Sequence, residues 1–145
     1  MIGSVAEHIC DRSSALIEAC KSEQRIDPVE TITSELLPLC AAMKFIGRRG
    51  PRILADRKVG LSGRPMWLVG VRSRVCRVPL GDVLVLGTWN YPLLLPGVQV
   101  AQALAAGNRV QLKPAVGTET ASTLLVDAFH QAGVSSQQLT LLGSG

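Results

Sequence analysis

The chain has 145 residues, 47% of them hydrophobic and only 3% aromatic, with a formal net charge of +4. That length suffices for one domain with a real core, and the Val/Leu/Ala-rich composition suits an α/β protein. No run approaches the ~18 consecutive apolar residues of a membrane span. Glu7 and Asp11 interrupt any signal-like stretch at the N-terminus.

The four cysteines, Cys10, Cys20, Cys40 and Cys76, form no CxxC pair, and His8 and His130 are the only histidines. A zinc site is not expected, because ligand clusters need close spacing. Reduced, mostly buried thiols in a cytoplasmic protein are expected instead. Charge is uneven. Residues 1–43 carry three basic and seven acidic side chains, residues 44–77 ten and one, residues 78–145 two and three. The basic middle could attract nucleic acid, but it lacks aromatic interleaving for base stacking. A solvated face paired with the acidic first segment is the expectation.

Residues 3–22 read as an amphipathic helix with Val5, Ile9, Leu16 and Cys20 near one face. Residues 27–47 follow as a second helix. Asp27 suits the N-cap, Pro28 the first helical position and Glu30 the third, a capping-box arrangement. Val29, Ile32, Leu36, Leu39, Met43 and Ile46 form its apolar stripe. Pro38 is expected to kink it, and Gly47 to end it. Residues 50–78 read as loop and strand. Gly60-Leu61-Ser62-Gly63 is a turn signal between Ile53–Val59 and Met66–Val78. A hairpin packed beside a main sheet fits, with Arg72, Arg74 and Arg77 solvated, Val71 and Val75 on the other face, and Trp67 as a core or interface anchor.

The organising stretch is 79–115. Val83–Leu86 is an apolar, β-branched run suited to a buried strand. Gly87 ends it, and Thr88-Trp89-Asn90-Tyr91-Pro92 forms a tight loop. A helix follows, with Leu95, Val98, Ala101, Leu104 and Ala105 inward. Gly107-Asn108 ends that helix, both residues tolerating the left-handed conformation. Val110–Leu112 is a second strand leading into Lys113-Pro114-Ala115. Thr118 could cap a third helix to about Ala132, with Ala121, Leu124, Leu125, Ala128 and Phe129 inward, and Gly133 closes it. Leu139–Leu142 is a last strand. Residues 81–145 thus predict β-α-β-α-β, a partial Rossmann-like doubly wound parallel sheet, preceded by N-terminal helices and a β-hairpin. The division expected is 1–78, helices and basic hairpin packing on the sheet, and 79–145, the first half of a dinucleotide-binding fold.

Open parallel sheets bind ligands at the C-terminal ends of their strands. Here those ends are Thr88-Trp89-Asn90 and Lys113-Pro114-Ala115. There is no GxGxxG after the first strand, and a lysine stands where an ordinary dinucleotide fold has an acid. From pattern alone, Asn90 could cap the following helix.

Pro79-Leu80-Gly81, Trp89-Asn90-Tyr91-Pro92, Ala103 to Asn108 and Leu112-Lys113-Pro114, in this order, resemble the aldehyde dehydrogenase superfamily. The resemblance covers 76–145 well and the first 75 residues loosely. It implies the N-terminal part of an NAD(P)-dependent enzyme that oxidises an aldehyde through a cysteine thiohemiacetal. Asn90 matches the family asparagine that stabilises the oxyanion. Lys113 matches the lysine that binds the ribose hydroxyls or a 2′-phosphate, and Gly87, Thr88, Trp89 and Ala115 lie with it on the cofactor side. Two departures stand out. Thr88 replaces a frequent proline. Val116 replaces a frequent ribose-binding glutamate, which tilts the expectation towards NADP or dual use; Glu119 suits the first turn of the next helix better than that role. All four cysteines precede Asn90, whereas the family nucleophile follows it. The general base and catalytic domain are also expected elsewhere, so the chain alone is expected to be inactive. Homo-oligomerisation is possible in such a family. The alternative readings are a non-catalytic nucleotide-binding or subunit-interaction module and, less favoured, a nucleic-acid binder.

Overall fold

The computed structural model of the protein describes residues 1–22, 25–60, 62–63 and 65–143. Leu61 of the predicted turn, and Ser144 and Gly145, lie outside them.

The predicted β-α-β-α-β unit is present. Strands β3 (Asp82–Leu86), β4 (Arg109–Lys113) and β5 (Leu139–Leu141) form a parallel sheet in the order β3-β4-β5, joined through helices α5 (Leu94–Ala105) and α6 (Glu119–Gln131). Two successive crossovers in the same direction put both helices on one face. Val85, Val110, Leu112 and Leu139 are buried beneath them, while Leu84, Leu86, Gln111 and Lys113 on the opposite face are exposed.

The first predicted helix is two, α1 (Val5–Asp11) and α2 (Ser13–Ala19), broken at Arg12. The second begins as expected at α3 (Pro28–Thr31), where the Asp27 carboxylate accepts from the Val29 N–H at 2.9 Å. Glu30 does not close the box; it lies 3.8 Å from Arg25 instead. Pro38 widens the helix rather than breaking it. Ile32–Leu36 is a π-helical turn, in which the Leu37 N–H reaches back to the Ile32 carbonyl. One wide turn moves aside the backbone that a proline ring would otherwise strike.

Helix α4 (Leu37–Leu54) then continues through Gly47, contrary to expectation. Gly47 is there for close packing: a Cβ on it would stand 2.8 Å from the Gly3 Cα. Similarly, a Cβ on Gly97 of α5 would meet a Leu39 methyl at 2.8 Å. That seat turns α5 so that Pro96, Gly97, Val100, Ala101 and Leu104 face inward, and Leu95, predicted inward, is 39% exposed. Helices α1, α2 and α4 pack chiefly on α5 and α6, forming a second helical layer.

The hairpin is shorter than predicted. Strands β1 (Arg57–Lys58) and β2 (Arg74–Val75) pair antiparallel in a ladder of their own, separate from the main sheet. Met66–Leu68 is a 3₁₀ turn, and Trp67 is 79% exposed, so it anchors no core. Val71, too, is exposed. Among the described residues the basic segment pairs Arg74 with its own Asp56 at 3.4 Å, not with the acidic first segment. Cys20 is buried and Cys40 half-buried, but Cys10 and Cys76 are exposed, against the expectation of mostly buried thiols. Among the described residues no cluster of metal-ligating side chains occurs, and no helix is long and apolar enough to cross a membrane.

Candidate functional site

The ends of β3 and β4 are drawn together by a glycine. The Gly87 N–H donates to the Lys113 carbonyl at 2.7 Å, and a Cβ on Gly87 would stand 3.1 Å from that oxygen and 3.3 Å from the Ala115 nitrogen. This contact joins two of the predicted segments, 87–90 and 113–115. The Thr88 hydroxyl donates to the Tyr91 carbonyl at 3.1 Å and tightens the loop between β3 and α5. Trp89 and Asn90 at its tip are exposed. The Asn90 side chain makes no hydrogen bond among the described residues, so it does not cap α5.

The cap comes from elsewhere in the chain. Glu35, fully buried in the π turn, accepts with Oε2 from the Leu93 and Leu94 N–H groups at 2.7 and 3.0 Å. Its Oε1 is paired with Arg25. Arg25 also donates through Nη2 to the Asn90 carbonyl at 2.6 Å and lies over the Tyr91 ring, 5.2 Å from its centroid. The helix start and the loop backbone are thus held by one buried ion pair, leaving the Asn90 amide directed by its backbone and not by contacts of its own. Sequence reasoning missed both residues. Glu35 did carry a signal, a carboxylate on the apolar stripe between Ile32 and Leu39. Arg25 carried none.

A cavity of about 560 Å³ opens beside this loop, lined among others by Cys20, Arg25, Glu30, Trp89 and Asn90. Cys20 is not a nucleophile there: burial, then the Glu35 charge, pushes its thiol up to about 12. A thiol so placed stays protonated and inert.

On the β4 side, Lys113 is exposed and makes no ion pair among the described residues. The Thr118 hydroxyl donates to the Ala115 carbonyl at 2.9 Å, so it closes the 115–118 turn rather than capping α6. Glu119 stands in the first turn of α6, as expected. Val116 is exposed and offers no acceptor. Asn108 is not left-handed; of the Gly107-Asn108 pair only Gly107 has positive φ. The Asn108 Oδ1 instead accepts from the Leu80 and Gly81 N–H groups at 2.6 and 3.1 Å, and Nδ2 donates to the Ala103 carbonyl at 2.9 Å. Pro79-Leu80-Gly81 and Gly107-Asn108 are therefore two halves of one corner at the opposite end of the sheet.

The family model described as "Aldehyde dehydrogenase family" matches residues 1–145. The chain belongs to the aldehyde dehydrogenase family. It is 32% identical over 148 residues to phenylacetaldehyde dehydrogenase of Pseudomonas fluorescens, covering 96% of this chain and 29% of that protein. It is 30% identical over 131 residues to NADP-dependent glyceraldehyde-3-phosphate dehydrogenase of Zea mays, covering 88% and 26%. Among solved structures, a NAD-dependent benzaldehyde dehydrogenase from Corynebacterium glutamicum superposes with TM-score 0.81 at 28% identity, over 99% of this chain and 30% of that one. Aldehyde dehydrogenase family proteins of this kind are much longer: the chain spans about a quarter of the first curated relatives it matches.

Proposed function

We propose that the chain is the cofactor-side portion of an NAD(P)-dependent aldehyde dehydrogenase, which oxidises an aldehyde to a carboxylic acid by way of a cysteine thiohemiacetal. The observation that carries the reading is the Asn90 loop. Its backbone is clamped by Arg25 while its side-chain amide stays uncommitted at the C-terminal end of β3. An amide held this way can donate to the aldehyde oxygen as a thiolate adds and charge develops on it. Such donors act strongly where they are oriented for the developing charge, and here the clamped loop backbone limits where the amide can point.

The cofactor-side residues fit a nicotinamide dinucleotide. Lys113 is exposed and without an ion pair among the described residues, and its backbone carbonyl is joined to the Gly87 N–H, so its ammonium is free to meet ribose hydroxyls or a 2′-phosphate laid along Gly87, Thr88, Trp89 and Ala115. Val116 lacks the carboxylate that would repel that phosphate, which favours NADP or dual use. Relatives named as NADP-dependent and as NAD-dependent both occur. When bound, the cofactor supplies the hydride acceptor. In this reading the 145 residues alone do not turn over, because all four cysteines precede Asn90, whereas the family nucleophile follows it, and Cys20, which lines the Asn90 cavity, is buried. A cytoplasmic location and self-association complete the proposal; the exposed Met66, Trp67 and Val69 support the latter.

The test is steady-state kinetics on the gene product that carries this sequence, with NAD⁺ and with NADP⁺. Asn90→Ala should lower kcat by about 10²–10³. Lys113→Ala should raise the KM for the preferred cofactor by about tenfold, the worth of one charge-assisted hydrogen bond. An Asn90→Ala protein of undiminished kcat would sink the oxyanion assignment.

A further inference from the structure

We infer that Cys10 and Cys40 are a thiol–disulfide exchange site, at which a low-molecular-weight disulfide oxidises the pair and staples α1 to α4. The inference is independent of the dehydrogenase reading. The two Sγ atoms lie 4.0 Å apart, from residues thirty positions apart in the chain. Their juxtaposition is built into the helix packing. Gly3 in the turn entering α1 touches Gly47 of α4, and seven residues on from Gly3 is Cys10, seven back from Gly47 is Cys40. Seven residues are two helical turns, so both contacts lie on one seam of an antiparallel pair. The Cys40 thiol also reaches the Ala6 carbonyl at 3.7 Å on that seam. A Cβ on Gly47 would stand only 2.8 Å from Gly3, so the two backbones are close at that end of the seam, and the 4.0 Å between the sulfurs shows that the side chains meet at the other.

The two thiols divide the chemistry. Cys10 is exposed and open to a small reagent. Cys40 is half-buried, and burial, followed by Cys10, pushes its thiol up to about 11, so it acts second. The Cys10 thiolate attacks one sulfur of the small disulfide; that S–S bond breaks and one small thiolate leaves. Cys40 then gives its proton to solvent and attacks the Cys10 sulfur, expelling the second small thiolate. Two protein thiols are oxidised to one disulfide, and one small disulfide is reduced to two thiols. Neither other cysteine is so placed. Cys20 is buried, and the Cys76 thiol donates to the Asp56 carboxylate at 3.3 Å, which raises its pKa.

The intact protein is incubated with glutathione disulfide, quenched with iodoacetamide and digested with trypsin, which separates the four cysteines into peptides 1–12, 13–21, 26–44 and 75–77. The expected product in native buffer is 1–12 joined to 26–44, with Cys20 alkylated after unfolding. In urea the preference should reverse, the shorter loop to Cys20 winning by about fivefold on closure entropy. In Cys40→Ser, glutathione should remain on Cys10 as the mixed disulfide. The inference is overturned if the wild-type chain stops at glutathionylated Cys10, or if the 10–40 link forms equally in native buffer and in urea.

Discussion

Glu35 caps a helix that begins 59 residues after it, its Oε2 accepting the Leu93 N–H at 2.7 Å. The same carboxylate is paired with Arg25, which holds the Asn90 carbonyl. The Thr88–Pro92 loop is therefore shaped by two residues outside it. Glu35→Ala should cost about 3–5 kcal/mol, because it strands a buried guanidinium as well as two N–H groups. Glu35→Gln keeps acceptor oxygen and should cost less, about 1–3 kcal/mol. Urea melts with an unchanged m-value would measure both; equal losses for the two variants would mean that the charge on Glu35, which both remove, carries the whole effect and its acceptor oxygens none.

Much of this architecture was legible in the chain. Val83–Leu86 is short and apolar and stops at Gly87, and Val110–Leu112 follows the Gly107-Asn108 corner, so pattern suffices to find these strands and the helix between them. The Asn90 and Lys113 segments were legible for the same reason, since they sit at the ends of those strands. What was hidden depends on partners distant in sequence. Gly47 reads as a helix stop until Gly3 lies against it. Asn108 reads as a left-handed corner until it is seen to bind Leu80 and Gly81. Pro38 reads as a break, but one wide turn accommodates it, and that turn is what sets Glu35 beneath α5.

Two glycines of α4 separate packing from propensity. Gly47→Ala drives a Cβ against the Gly3 backbone and should destabilise by about 1–3 kcal/mol despite alanine's better helix propensity. Gly50→Ala meets an Ile46 methyl at an ordinary 3.8 Å, but it precedes Pro51 within the helix, where the proline ring disfavours a helical residue bearing a Cβ, so the propensity gain is offset and stability should change by less than about 1 kcal/mol. Thermal melts of both would decide it. A clearly larger loss for Gly47→Ala than for Gly50→Ala supports the seam; a stabilised Gly47→Ala protein would mean that α1 does not approach α4 so closely.

Two asparagines should behave as differently. Asn90→Ala removes a side chain without a hydrogen bond and should change stability by less than about 0.5 kcal/mol. A helix cap would have lost about 1 kcal/mol. Asn108→Ala removes three hydrogen bonds at the Pro79–Gly81 corner and should cost about 1–3 kcal/mol. Denaturation of the two variants side by side checks the pair. A substantial loss for Asn90→Ala would return that residue to a structural role.

Cys20 should make the protein sensitive to alkali. Its thiol is pushed up to about 12 in the fold, above the ordinary value of 9.0, chiefly by burial. The unfolded chain therefore loses this proton first as pH rises, and the native state binds more protons across the interval. Stability from this group is complete below pH 9.0 and declines from there towards about 12, where the folded thiol ionises in turn. Cys20→Ala should flatten the decline between those limits, at the cost of a small cavity at all pH values. The measurement is the urea midpoint against pH for both proteins, with iodoacetamide labelling at each pH as a direct probe. Parallel curves would mean that Cys20 ionises as readily in the fold as out of it, and the buried position assigned to it beside Glu35 would be wrong.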